Sequence, residues 1–391
     1  MGARRGRRAR RRRELQARLR RRRRDLDRRA RDARDRIPLP AVEARCPAAA
    51  RRRERVTSAP GGWDDAAVRS AGGHVLQSSA WAQIREAQGW RAEFHRIGEP
   101  LPVALVLWRA LPGGLSIGYV PRGPIVRDES QLPEALDAIA RLARERRAIF
   151  VKIDPELDPR VAEEPLRQAG LRRAADIQPV LATLELDLAP EEDILMAALE
   201  KDTRWSIRQA EKRGVTVRET SSDADLRSLY DLYAETGRRA SFITRTWDYY
   251  RRMWGTLTAA GYARVRLAER DGNAVAGALV WRCGEREVYQ SAATNEAGRS
   301  AYAAYALLWR CIIEARRSGA RRFDFGGVPV DATRKDDPMY GPYLFKKGFG
   351  GTPRRFVGAH DAVPRELVYR AYAIAEPFYT SALRLAGRIR S

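Results

Sequence analysis

The chain is poor in cysteine, histidine and lysine, and each scarcity narrows what it can be. Its three cysteines, Cys46, Cys283 and Cys311, are scattered without CxxC spacing. That argues for a reducing, cytoplasmic setting and against a disulfide framework or a zinc site. Three histidines, His74, His95 and His360, are too few for a multi-histidine metal centre, and a histidine-based nucleophile triad is disfavoured. No apolar run approaches the roughly 18–20 residues that a membrane-spanning helix needs, and nothing reads as the apolar core of a signal peptide. Lysine is the last scarcity: 6 of the 74 basic residues, of which Lys346 and Lys347 are adjacent. A compact ammonium is a different tool from a planar guanidinium, so lysine kept in an arginine-rich chain hints at site chemistry. A solvated loop that happens to carry lysine is the bland alternative.

What is present is length and charge. With 391 residues the chain can hold two domains, each with a real core. The net charge of +24 is uneven: residues 1–56 carry 24 arginines and 7 acids, a net of +17, which leaves +7 for the rest. Residues 1–60 are therefore read as an arginine-rich tail with too few large apolar residues to repay the entropy of folding, disordered or a solvated helix that meets polyanions. From Trp63 onward the pattern is globular. Ser78 or Ser79 caps a helix, SAWAQIREAQGW. The strand-like runs AEFHRI, VALVLWRAL and LSIGYV follow, then the amphipathic helix LPEALDAIARLARERR and the buried strand AIFVKI.

The second half repeats this order. Residues 191–214 read as one helix stopped by Gly214, and DADLRSLYDLYAETGRRA as another. The strands YARVRLAER, AVAGALVWRC and EREVYQSAATN come next, then a long helix and the strand RRFDFGGV. Ala104-Leu105-Val106-Leu107-Trp108-Arg109 parallels Ala278-Leu279-Val280-Trp281-Arg282, GYV parallels VYQ, and Asp154 and Asp324 close matching strands. A period near 170 residues is too long for a solenoid and implies two copies of one α/β unit. The expected domains are lobe 1 over 61–186, lobe 2 over 187–362, and a C-terminal helical segment over 363–391. The stretch Arg321–Gly351 stands out, because YLFKKGFGG belongs to the second copy alone.

The runs QSSAWAQIREAQGW, YVPRGPIV, QPVLATLELDL, RWSIRQAEKRGV and FITRTWDYY, with FDFGGV and YLFKKGFGG, resemble the Fem-type (FemABX-like) peptidoglycan bridge-forming aminoacyltransferases over most of Trp63–Asp361. The resemblance implies an α/β (α+β) fold of two tandem GNAT-like lobes with mixed, largely antiparallel sheets. The helices after Asp187 are short, which implies no coiled-coil arm. It also implies transfer of an aminoacyl group from aminoacyl-tRNA, as co-substrate with no further cofactor and no metal, to an amine of a UDP-linked or lipid-linked muropeptide. The protein is then expected to act as a monomer, with peripheral contact at the inner face of the membrane.

That reaction is aminolysis of an activated ester, so positioning and charge stabilisation suffice without an enzyme nucleophile. Both substrates are anionic, and cationic side chains should dominate the site. By resemblance, Lys346 stands near the phosphate and the developing oxyanion, and the Phe345 carbonyl orients the amine. Arg85, where relatives often carry lysine, engages the precursor diphosphate, together with Arg245 and Tyr249 one helical turn apart. Tyr119 lines the precursor pocket, Tyr289 faces the cleft, and Lys347 helps hold phosphate. The stripe Lys201, Arg204, Arg208 and Lys212 has helical spacing and meets the tRNA backbone, or is a solvated face. Tyr119, Tyr249 and Phe345 also suit an ordinary core, and Asp154 and Asp324 suit structural turns. Two other classes compete. An acyl-CoA N-acyltransferase needs a Q/R-x-x-G-x-G/A loop before a helix, which NEAGRSAYAAY does not supply. An RNA-binding protein without catalysis would place its affinity in residues 1–56.

Overall fold

The computed structural model of the protein describes residues 58–240 and 242–375. The arginine-rich tail lies outside these apart from its last three residues, and so does 376–391 of the C-terminal segment. Residues 366–375 of that segment are helical.

The strands are β1 (Arg91–Arg96), β2 (Val103–Leu111), β3 (Leu115–Val120), β4 (Ala148–Ile153), β5 (Arg172–Arg173), β6 (Ala182–Asp187), β7 (Thr216–Thr220), β8 (Ala263–Arg270), β9 (Asn273–Cys283), β10 (Arg286–Thr294), β11 (Arg322–Gly327), β12 (Thr352–Arg355) and β13 (His360–Ala362). They form two mixed sheets, ordered β1-β2-β3-β4-β13-β5 and β12-β6-β11-β10-β9-β8-β7. Each sheet contains one parallel pair, β3 with β4 and β10 with β11. A parallel pair requires a crossover, and the helices Leu132–Glu145 and Ala303–Arg317 supply it. The α/β unit thus occurs twice, and the described residues carry no coiled-coil arm.

Strand pairing moves the lobe boundaries. β6, expected in lobe 1, pairs with β11 and β12. β13, expected in lobe 2, pairs with β4 and β5. Each sheet is completed by a strand from the other half. The alternation in Ala182–Asp187 shows a strand but not its partner, because period-2 patterning is silent on which sheet a strand joins.

The layers follow from alternation. In β2, Ala104, Val106 and Trp108 face an outer core under the Leu132–Glu145 helix, whereas Val103, Leu105 and Leu107 face a central core. In β9, Ala276, Ala278 and Val280 face the outer core of lobe 2, and Leu279 and Trp281 face the central core. Strands buried on both sides read as continuous apolar runs. The central core also takes Trp81 and Ile84 from the first helix, and Trp254 and Leu257 from the helix Trp247–Ala259.

This facing corrects the alignment of the repeat. Ala-Leu-Val matches in facing, but Leu107 is an extra residue before Trp108. Trp108 therefore points outward and Trp281 inward. The same slip separates the two tyrosines: Tyr119 faces the central core and Tyr289 the outer core. A one-residue shift exchanges faces in any strand. The two aspartates differ as well, since Asp154 lies one residue past β4 and Asp324 lies within β11.

Two helical expectations also change. The segment 191–214 divides into Glu192–Ala198 and Lys201–Lys212, with extended ψ at Leu199 and Glu200. Arg245 precedes the helix Trp247–Ala259, whose N-cap is Thr246, so it is not one helical turn from Tyr249.

Candidate active site

The first helix, Ser79–Glu86, is started by Ser78, whose hydroxyl accepts from the Trp81 amide at 2.9 Å. It presents Arg85 half-buried between Trp81 and Trp90, 5.8 and 5.2 Å from the two rings. Arg85 Nη1 donates to Gln88 Oε1 at 2.6 Å, while its Nε is buried without a hydrogen-bond partner. Burial pulls its pKa down, and the Tyr249 and Tyr119 phenols, Arg109 and Arg245 are close enough to act on it electrostatically. Arg245, though it enters from a loop, lies over Tyr249 at 5.1 Å. Arg109 lies over Trp90 at 4.4 Å. Four residues expected at the precursor site, Arg85, Tyr119, Arg245 and Tyr249, are thus brought together. Arg85 and Arg245 meet against aromatic walls, an arrangement that suits an anion.

Tyr119 is fixed from two sides. Its hydroxyl donates to Asp154 Oδ2 at 2.8 Å and accepts from Gln178 Nε2 at 3.0 Å. Burial and the Asp154 carboxylate raise the phenol well above its ordinary pKa, so it stays protonated. Asp154 is itself pushed up to about 6 by burial, against the pull of Arg122. Its second oxygen accepts from the Arg122 amide at 2.6 Å, and this steadies a residue held in the left-handed region at φ 50.

Lys346 sits in the second lobe on the helix Tyr340–Lys347. Its Nζ donates to the Gly327 carbonyl at 2.7 Å, and burial lowers its pKa to about 8, with Asp324 opposing. β10 and β11 pair only from Arg286↔Arg322 to Val288↔Asp324. Beyond that β10 has a register shift between Tyr289 and Ser291, and β11 turns at Gly326. Gly326 has φ 71, and a Cβ there would lie 2.7 Å from the Tyr289 carbonyl, so only glycine makes this turn. Asp324 holds it, accepting from the Gly326 amide at 2.7 Å and from the Thr183 hydroxyl. Phe345 lies in the last helical turn, where carbonyls lack intrahelical donors, and its ring packs on Tyr305 and Phe349. Lys347 is exposed beside it.

One segment connects the two clusters. Gln178 grips Tyr119, the Val180 carbonyl accepts from Arg122 Nη2 at 2.9 Å, and Val180 packs on Gly327, the acceptor of Lys346. Below it the lobes are joined by charge. Glu156 accepts from Arg286 and lies 3.4 Å from Arg122 Nε. Burial opposes its ionisation, but Arg286, His74 and Arg122 outweigh that and hold it well below the carboxylate range.

One expectation is corrected and one is qualified. Tyr289 packs on Phe323 in the outer core and does not face the cleft. Arg204 Nη1 donates to the carbonyls of Ala197 and Leu199, closing the preceding helix, so this residue of the basic stripe also has a structural role. Lys201, Arg208 and Lys212 are exposed. Gln178, Arg109 and Trp90 were missed. Gln178 opens a run already recognised as a motif, whereas nothing sets Arg109 apart from other arginines.

In the loop before Ala303–Arg317 several backbone amides are already taken. The Gly298 amide is taken by Asn295 Oδ1 and the Arg299, Ala301 and Tyr302 amides by carbonyls of the same turn. A Cβ at Gly298 would lie 2.2 Å from the Val275 carbonyl, so this glycine serves packing. No group of metal-binding side chains occurs among the described residues, and no described helix is long and apolar enough to cross a membrane.

Comparison with known proteins agrees with this architecture. Residues 66–165 match the FemAB family, and residues 197–346 match an acetyltransferase (GNAT) domain. The chain is 24% identical to the lipid II:glycine glycyltransferase of Staphylococcus aureus (strain USA300), over 81% of this chain and 95% of that one. The crystal structure of FemX superimposes with a TM-score of 0.71 at 22% identity, covering 79% of this chain and 97% of its own. The C-terminal domain of a putative lysylphosphatidylglycerol synthetase from Agrobacterium fabrum gives 0.50 at 16% identity, over 80% and 95%. Both structures speak to the fold alone.

Proposed function

From the premise that the chain is a Fem-type acyltransferase built on two GNAT-like lobes, we propose that it transfers an aminoacyl group from aminoacyl-tRNA to an amine in the stem peptide of a peptidoglycan precursor. The observation that carries this reading is the convergence of Arg85, Tyr119, Arg245 and Tyr249, joined through Gln178 and Val180 to Gly327 and Lys346. The first cluster suits a diphosphate, since guanidiniums take phosphate oxygens in pairs. The named substrate of the Staphylococcus aureus relative, lipid II, favours a lipid-linked precursor over a UDP-linked one. A monomer working at the inner membrane face fits that substrate.

The acceptor amine attacks the ester carbonyl, so a C–N bond forms and the carbonyl electrons move onto oxygen. Lys346, as an ammonium, donates to this oxyanion, and the Phe345 carbonyl accepts from the attacking amine. Collapse breaks the bond to the ribose oxygen, which leaves with the proton released by the amine. The ester is already activated, so the step draws on no cofactor besides aminoacyl-tRNA.

The match of residues 197–346 to an acetyltransferase domain favours a second reading, acyl-CoA-dependent N-acyl transfer. The occupied amides around Gly298 oppose it. The deciding experiment incubates the protein with charged tRNAs and lipid-linked or UDP-linked muropeptides and follows the peptide mass. A mass increment of one or more amino acids is expected. No product with any aminoacyl-tRNA, alongside turnover of an acyl-CoA, would overturn the proposal.

A further inference from the structure

The helix Lys201–Lys212 carries Trp205, which is 49% exposed. Lys201, Arg208 and Lys212 share its face at helical spacing. The helix's acids, Asp202 and Glu211, are outnumbered by these three, by Arg213 and by Lys347 beyond its start.

Trp205 begins a path. Its ring meets Tyr302 edge-on at 5.2 Å, Tyr302 lies 6.4 Å from Tyr305, and Tyr305 meets Phe345 at 4.9 Å. Tyr302, Tyr305 and Phe345 are each half-buried, so the rings retain accessible surface. Tyr302 adopts φ 58, a left-handed conformation unusual for a bulky residue. Arg213 lies 4.9 Å over its ring and donates to the Ser300 carbonyl, fixing that turn. Where the path ends, the Glu200 amide donates to the Gly348 carbonyl at 3.0 Å, so the basic helix starts beside Gly348, two residues past Lys346.

We propose that Trp205, Tyr302 and Tyr305 form a stacking track for single-stranded RNA, on which the 3′ end of the aminoacyl-tRNA lies with its ester at Phe345 and Lys346. Aromatic rings offer every base a stacking face, and neighbouring cations hold the phosphates. The inference rests on the tRNA-dependent reading for the identity of the RNA, but the surface can be tested apart from the reaction.

The test titrates the full chain with a labelled single-stranded oligoribonucleotide ending in CCA, and with base-paired RNA of equal length. It is repeated at raised salt to suppress the arginine tail. Trp205 is half in solvent, so Trp205→Ala should fold normally. It is expected to weaken single-strand binding about tenfold, the loss of one base–aromatic stack, and to leave duplex binding unchanged. Trp205→Phe should restore most of the affinity. In transfer assays the KM for aminoacyl-tRNA should rise by the same factor, with kcat and the precursor KM unmoved. Unchanged single-strand affinity in Trp205→Ala, or an equal loss for duplex, would overturn the track. Trp205-dependent sedimentation with phosphatidylglycerol vesicles, with RNA affinity unmoved, would assign the face to a membrane instead. If Trp205-dependent RNA binding persists but no transfer occurs, the track stands and the proposed reaction fails.

Discussion

The two lobes use one frame for different ends, and the difference lies at their parallel strand pairs. In lobe 1, β3 and β4 stay paired to the end of β3, at Val120↔Ile153. In lobe 2, β10 and β11 part after Val288↔Asp324. Where the pair stays closed, the aspartate beyond it steadies a buried phenol: Asp154 holds Tyr119. Where the pair opens, the aspartate braces a glycine turn that leaves the Gly327 carbonyl to Lys346. A closed pair makes a wall on which a substrate can be held. An open pair makes a notch in which a charge can meet reacting atoms. The division of labour proposed here follows: the lobe 1 wall, joined by Arg245 and Tyr249 reaching over from lobe 2, binds the precursor diphosphate, and the lobe 2 notch stabilises the transition state.

The largest effect should come from the notch. Lys346→Met removes the donor to the oxyanion while keeping an apolar stem of similar length. Loss of one such donor lowers kcat about 10²–10³-fold. The precursor KM should hold, and an unchanged circular dichroism melt would show that the fold survives. Wild-type rates in this variant would erase the contrast between the lobes.

Arg245→Ala acts on the wall. Arg245 is exposed, so the fold should tolerate the change, and one charged hydrogen bond is worth about 1.5–3 kcal/mol. The precursor KM should rise roughly ten- to a hundredfold with kcat little changed. A drop in kcat alone would place Arg245 with the chemistry.

Titration separates the lobes further. Lys346 is lowered to about 8 by burial, so its ammonium is intact below that pH and is lost as pH rises through it. The kcat of transfer should therefore fall about tenfold per pH unit well above 8, and Asp324→Asn, by removing a stabilising charge, should move that limb to lower pH. Asp154 gives the smallest effect. Its carboxylate, with a pKa of about 6, accepts best when ionised, so the precursor KM should rise several-fold as pH falls through 6. In Asp154→Asn the KM should be raised several-fold and lose that dependence.

The two-lobe plan was legible because buried strands repeat as apolar runs and each lobe needs a long crossover helix. Its register was not. One extra residue, Leu107, exchanges the faces of Trp108 and Trp281, and a linear match cannot see which face a residue takes. Tyr289 was misplaced for that reason. The strand exchange of β6 and β13 was equally hidden, since no local pattern names a partner strand. The break at Leu199–Glu200 has neither glycine nor proline to announce it. Arg85, Tyr119, Arg245 and Tyr249 were singled out by motif rather than by physics, because 68 arginines mask any single one and buried tyrosines suit an ordinary core, whereas the scarcity of lysine already pointed to Lys346. Gln178 and Arg109 act only through neighbours distant in sequence, which leaves no local signal.

What the wall and the notch are proposed to separate is binding from chemistry. The most direct measurement is kcat and precursor KM, side by side, for Lys346→Met and Arg245→Ala in the aminoacyl-tRNA transfer assay. Loss of kcat at constant KM in the first, and a rise in KM at constant kcat in the second, is the predicted outcome. Both variants shifting the same parameter would contradict it.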